Sequence, residues 1–256
     1  MLSLLNRSNN QGKPDCAVPE GERIYAVGDI HGRVDLLSRL MWGIEADMRS
    51  FTGERMRLVF LGDYVDRGPK SRETLDKLLE IKDRYEHATF ILGNHEEAML
   101  NFLQDPKGGD VWLDFGGLET LDSYGVAPPN PRSSPLALES ARDALQGAVP
   151  EAHIEFLEEL EVSATYGDYF FVHAGVRPGI ALESQDRNDL LWIREEFLSS
   201  DWSPGKIIVH GHTPGEKPAL SRWRIGVDTG AYATGRLTSV VLEGTTRRFL
   251  STRSRM

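Results

Sequence analysis

One cysteine, Cys16, occurs among the 256 residues, so no intrachain disulfide can form and a reducing compartment is the natural home of the chain. Cys16 sits in a polar stretch with nothing around it that suggests a catalytic thiol. Long apolar runs are also missing. None approaches the roughly 18 residues that a membrane-spanning helix needs. The opening MLSLLNRSNNQGKPDCAVPEGER lacks the apolar segment and small-residue cleavage site of a signal peptide, and residues 1–20 read as a flexible leader. A cytoplasmic protein is therefore expected. Basic charge is in deficit: 29 Lys and Arg stand against 39 Asp and Glu, for a net charge of -10. That balance works against a surface built to neutralise a nucleic-acid backbone, so neither nucleic acid nor membrane is an expected partner.

The 40% hydrophobic content suffices for a core, and the length suits one large domain or two small ones; nothing in it fixes an oligomeric state. Short apolar runs ending at glycine or histidine recur as RIYAVGD, MRLVFLGD, ATFILGN, DYFFVHAG and KIIVHGH, and each reads as a buried strand. Between the first two, Leu37, Leu40, Met41 and Ile44 fall at helical spacing, and after the second Leu75, Leu78 and Leu79 do the same. Strand, helix, strand, helix, strand at this spacing predicts an α/β protein. From residue 99 to about 161, proline and glycine clusters interrupt short helical stretches, the best of them marked by Ile154, Phe156, Leu157 and Leu160. This segment is expected to be a helical cap inserted into a domain spanning 21–246. RIGVDTGAYATGRLTSVVLEG suggests two strands joined by a glycine-containing turn, and the basic tail 247–256 is expected to be solvated.

In open α/β sheets, ligands bind beyond the carboxyl ends of the strands. The polar residues there are Asp29 and His31, then Asp63, Asp66 and Arg67, then Asn94 and His95, then His173, and last His210 with His212. A single Asp or His at a strand tip is usually a turn former or helix cap, but five such motifs in series point to a shared metal centre. Carboxylate, amide oxygen and imidazole together suit manganese, iron or zinc better than calcium, and there are enough ligands for two ions. In an extended segment His210 and His212 would share a face, so both could grip one ion, or one alone could be the ligand.

GDIHG, GDYVDRG, GNHE, HAG and GHT, in that order, resemble the signature of the PPP-family metal-dependent phosphoprotein phosphatases, within the calcineurin-like metallophosphoesterases. The resemblance runs from about Arg23 to about Gly244, and WLDFGGLETLDSYG, LLWIREEF and DTGAYATGRLTSVVLEG resemble its bacterial branch. It implies a β-sandwich flanked by helices, with two divalent metal ions, manganese favoured and iron or zinc as alternatives, at the sheet edge. By resemblance Asp29 and His31 bind one ion, Asp63 bridges both, and Asn94, His173 and His212 complete the second site. His210 then becomes a neighbour of the ligands or a substrate-facing group at the same rim. Asp228 becomes a neighbour of the ligands or a turn residue, and Glu96 a helix-start or supporting residue. His95 resembles the family's general acid, with Asp66 orienting it; Arg67 and Arg194 resemble its phosphate clamps.

The implied activity is hydrolysis of phosphoserine and phosphothreonine monoesters, with phosphotyrosine not excluded, in a phosphorylated protein or peptide. A hydroxide shared by the two ions would attack in line, without a phosphoenzyme. Two rivals stand beside it. A diadenosine polyphosphate hydrolase shares much of the metal signature, though Asp66 and Glu96 favour the phosphoprotein branch. A catalytically dead phosphopeptide-binding scaffold would have lost a ligand or the acid, and every expected position is filled.

Overall fold

Val, Ile, Tyr and Phe fill consecutive positions of the apolar runs because the strands they form are covered on both faces. The computed structural model describes residues 16–131 and 134–252, together with the backbone of Leu2–Leu5. Its strands are β1 (Leu2–Leu5), β2 (Glu22–Val27), β3 (Arg55–Phe60), β4 (Ala88–Phe90), β5 (Ser163–Tyr166), β6 (Tyr169–Val172), β7 (Ile207–His210), β8 (Ala219–Leu220), β9 (Arg224–Gly226), β10 (Thr238–Glu243) and β11 (Thr246–Thr252). Its helices are α1 (Val34–Met48), α2 (Ser71–Arg84), α3 (Asn94–Gln104), α4 (Gly109–Trp112), α5 (Leu118–Ser123), α6 (Pro135–Ala148), α7 (Glu151–Glu158), α8 (Arg187–Trp192), α9 (Glu195–Leu198) and α10 (Ala231–Thr234).

Among the described residues the strands form two mixed sheets, ordered β1-β11-β10-β2-β3-β4 and β5-β6-β7-β9-β8. β2, β3 and β4 run parallel in the first, and β6, β7 and β9 in the second. Alternation within each strand sorts the layers. Ile24, Ala26, Val59 and Leu61 meet Phe171, Ile207, Val209 and Ile225 between the sheets. Tyr25, Val27, Leu58 and Phe60 face Leu37, Leu40, Ile44, Leu75 and Leu78 of α1 and α2, while Phe170, Val172 and Ile208 face Leu190 of α8 and Phe197 of α9. The expected α/β sandwich flanked by helices is what the chain forms.

The helices of residues 94–158 pack directly onto the first sheet's helical layer. Phe102, Trp112, Leu121, Phe156 and Leu157 share one core with α1 and α2. α7 ends at Glu158, so Leu160 lies past the helix that the spacing predicts.

Three other expectations change. β9 and β10 are not a hairpin: they belong to different sheets, and the connection between them carries Asp228, Thr229 and α10. The tail is not merely solvated through Thr252, because β11 pairs with β10 and buries Phe249 and Leu250, with Arg247 donating to the Tyr169 hydroxyl at 2.8 Å. The leader is also partly structured. Cys16 and Val18 are buried between the sheets, and the backbone of β1 pairs antiparallel with β11. Residues 6–15 and 253–256 lie outside the described residues.

Candidate active site

The parallel strands of both sheets deliver their carboxyl ends to one edge, where the backbone turns sharply. Among the described residues, the non-glycine residues with positive φ are His31 (47°), Asp63 (53°), Asp66 (70°), Arg67 (65°) and His212 (63°). Each left-handed residue costs about 1–3 kcal/mol, and such strain persists only where the surroundings over-determine it. All five belong to the set selected from the sequence as site residues.

Asp63 stands at the centre, 2% exposed. Its Oδ1 accepts the His95 N–H at 3.2 Å and lies 3.4 Å from His173 Nε2, while its Oδ2 lies 3.5 Å from His31 Nε2 and 3.9 Å from His95 Nε2. Burial pushes the carboxyl up, but the surrounding imidazoles of His173, His95, His31 and His212 outweigh it and hold the pKa well below the usual carboxylate range. The loop is fastened from behind by Glu96, whose carboxylate accepts four backbone N–H groups. Oε2 takes those of Asp63 (2.8 Å) and Gly93 (3.0 Å); Oε1 takes those of Tyr64 (2.7 Å) and Val65 (3.1 Å). Glu96 is therefore a supporting residue and not a ligand. Gly93 is required beside it, since a Cβ there would lie 2.3 Å from both Asp63 N and Asp63 Oδ1.

The imidazoles are oriented for ligation. His31 Nδ1 donates to the Val65 carbonyl (2.9 Å) and His173 Nδ1 to the Leu61 carbonyl (2.8 Å), which leaves each Nε2 unprotonated and facing Asp63. Burial lowers the pKa of His173, that of His31 to about 3 and that of His212 to about 2, so they stand as neutral donors. His173 Nε2 is 2.9 Å from Asn94 Oδ1 and 3.1 Å from His212 Nδ1. Asp29 accepts the His212 N–H on both oxygens, at 3.1 and 3.0 Å. Burial, then Asp228 and Asp63, push the Asp29 carboxyl well above its ordinary value, and burial pushes Asp228 up to about 6. Three carboxylates in one buried space carry a charge that the chain alone does not balance. His31, Asp63 and His95 form one group able to hold a metal ion, and Asp63, His173 and His212 form another. The donors fit two divalent ions.

Asp66 reveals what sequence reasoning missed. Besides His95 Nδ1 at 2.7 Å, its carboxylate accepts from Trp112 Nε1 at 2.9 Å and Thr120 Oγ1 at 2.6 Å. Both partners come from WLDFGGLETL, where the helix is broken by a kink at Gly116, which has φ 117°. The Gly116 carbonyl accepts the Arg67 N–H at 3.1 Å, and a Cβ on Gly116 would lie 2.6 Å from that nitrogen. The inserted helices therefore form a wall of the site. The signal was the tryptophan and glycine pair itself, but nothing in the sequence says that it reaches Asp66.

The remaining predicted residues divide. Arg67 lies at the site, with its guanidinium 3.4 Å from His31 Nε2 and over the Tyr232 ring. Arg194 is exposed at the start of α9 and acts electrostatically on His173 and His212; among the described residues it forms no ion pair with Glu195 or Glu196. His210 does not face substrate. Like Ile208 it points from β7 to the outer layer, where its ring meets Phe197 edge-on at 5.1 Å, and burial lowers its pKa to about 4. His212 has left the extended backbone, so the shared-face expectation fails between the two histidines.

Fold and site together define a phosphoric ester hydrolase with a dinuclear divalent metal centre. The chain belongs to the calcineurin-like phosphoesterase family, whose profile matches residues 22–235. Similar curated proteins include a bis(5'-nucleosyl)-tetraphosphatase PrpE [asymmetrical] of Geobacillus sp. (strain WCH70), 26% identical over 85% of this chain and 89% of that protein. The protein of the same name from Oceanobacillus iheyensis is 25% identical over 85% and 87%. Similar solved folds include a putative diadenosine tetraphosphatase (TM-score 0.59, 20% identity, 91% of this chain and 95% of that one). A cold-active protein tyrosine phosphatase follows closely (TM-score 0.57, 16% identity, 95% and 87%).

The loop anchor gives a stability prediction. In Glu96→Gln one carboxylate oxygen becomes an NH2 that cannot accept, stranding two buried N–H groups, and chemical denaturation should register a loss of about 2–4 kcal/mol. A loss under about 0.5 kcal/mol would contradict the anchoring role.

Proposed function

We propose that this hydrolase cleaves dinucleoside tetraphosphates asymmetrically. The observation that carries the reading is the likeness to proteins of that name along nearly the whole of both chains. Sequence motifs alone favoured the phosphoprotein branch, partly through Glu96. Its role in fastening the Asp63 loop serves any substrate, so Glu96 speaks for neither.

Asp29, His31 and Asp63 would hold one divalent ion, and Asp63, Asn94, His173 and His212 the other, with Asp63 shared. Bound there, such ions lower the pKa of water and neutralise phosphate oxygens. Arg67 and Arg194 would donate paired hydrogen bonds to the phosphoryl group that is attacked. Oxygen from water bonds to phosphorus as the P–O bond to the leaving group breaks, and His95 Nε2 would give a proton to the departing oxygen. Asp66 would hold the His95 ring through Nδ1, with Trp112 and Thr120 fixing Asp66 in turn. Asp63 and Asp66 raise the pKa of His95 against the effect of burial, as an acid requires.

That dyad is also the specific observation favouring the second reading, a phosphoserine or phosphothreonine phosphatase. An alkoxide needs a proton to leave, whereas a departing phosphate scarcely does. With manganese present, chromatography should find diadenosine tetraphosphate converted to ATP and AMP with a kcat/KM at least about tenfold above that for a phosphoserine peptide. The reverse order would move the assignment to the second reading. His95→Asn should slow alkyl phosphate hydrolysis by about 10²–10⁴-fold and anhydride hydrolysis far less, and equal losses would remove the acid role.

The histidine pair offers a separate check by calorimetric manganese titration. His212→Ala should lose one of two ions, and His210→Ala should keep both at wild-type affinity; equal loss would restore the two-histidine chelate.

A further inference from the structure

A groove of about 230 Å3 opens directly beside the reacting centre, with Asn94 and His95 among its lining residues. Beyond them it runs along α3 and α4, over Phe102 and Trp112, towards Asn101, Asp105 and Lys107. Its rim is unusual for a soluble surface. Val111, Phe115 and Trp192 are 58%, 56% and 41% exposed, although nothing in the fold requires them to meet water.

The Trp192 ring is held in place. Trp192 Nε1 donates to Glu97 Oε2 at 3.2 Å, and the other oxygen of Glu97 is engaged by Arg187 at 3.1 Å. Phe115 immediately precedes the kink at Gly116, and its carbonyl accepts from Arg67 Nε at 3.4 Å. The backbone that carries Phe115 therefore also positions an arginine of the site. An exposed ring fixed as Trp192 is presents a face on which a planar group can stack at little cost in lost side-chain freedom, and Phe115 adds a second exposed ring on a fixed backbone.

Location decides what can occupy the groove. His95 is among its lining residues, so a group lying in the groove would sit beside the proposed acid, on the side where the leaving group would depart. A space of about 230 Å3 holds one ring system and not an extended run of residues. Asp105 and Lys107 balance each other, which suits a neutral occupant, and the Asn101 amide with the Asp105 carboxylate supplies a donor and acceptors for the edge of a base. We propose that this groove is a nucleobase subsite: the base of the departing nucleotide stacks against Phe115 and Trp192, and its edge is read by Asn101 and Asp105.

The proposal rests on the dinucleoside reading, and two experiments separate its failure from the failure of that reading. The double variant Phe115→Ala/Trp192→Ala should raise KM for diadenosine tetraphosphate by on the order of 10- to 100-fold. It should leave hydrolysis of inorganic tripolyphosphate, which has the same anhydride and no base, within about twofold of wild type. Equal effects on both substrates, or no effect on either, would overturn the subsite. If the wild type does not turn over diadenosine tetraphosphate, the dinucleoside reading falls and calorimetry on the manganese-loaded chain decides the subsite. AMP should bind at least about tenfold more tightly than ribose 5-phosphate, and the double variant should abolish the difference. Equal binding of the two ligands by the wild type would overturn the proposal.

Discussion

A carboxylate sunk to 2% exposure, among four imidazoles and beside two further carboxylates, is the constraint on which this structure turns. Asp63 cannot reach that position from relaxed backbone. It adopts a left-handed conformation, and the loop around it is held because Glu96 gathers four N–H groups that would otherwise be buried without partners. Neighbouring strand ends follow the same pattern, with His31 and His212 left-handed and their partners fixed by backbone carbonyls or by Asp29. The sandwich supplies the rigidity that tolerates this strain. Its central strands β2, β6 and β7 are buried along their whole length and anchor the loops at their tips.

The inserted helices matter for a different reason. They add no metal-binding group of their own beyond α3, yet Trp112 and Thr120 close the shell of Asp66, and Gly116 sets the backbone of Arg67. One segment therefore fixes Asp66, the backbone of Arg67 and the aromatic groove together.

The residues gathered at the sheet edge were legible in the sequence because each follows closely on an apolar run, and a parallel sheet delivers such positions to one edge. Contacts between residues about 50 apart left no such mark, so Thr120 and Trp112 stayed hidden. The histidine pair misled for a local reason. Alternation along a strand applies to His210, which ends β7 on the side of Ile208, but not to His212, whose backbone has already turned. Polar and basic residues dominate the composition of the chain ends, which hides β11: it buries Phe249 between the sheets and Leu250, on the opposite face, in the core shared with the helices. Likewise RIGVDTGAYATGRLTSVVLEG contains two strands, as read, but a hairpin and a crossing between sheets look alike until the partners are known.

Asp63 is common to both groups of donors, so it would couple two metal positions into one centre. Elemental analysis and calorimetry of manganese-loaded protein test it most directly, comparing wild type with Asp63→Asn, which keeps the shape of the side chain and removes its charge. Two ions per wild-type chain and a joint weakening of both positions in the variant are the predicted result. Retention of either ion at wild-type affinity in Asp63→Asn would contradict the account.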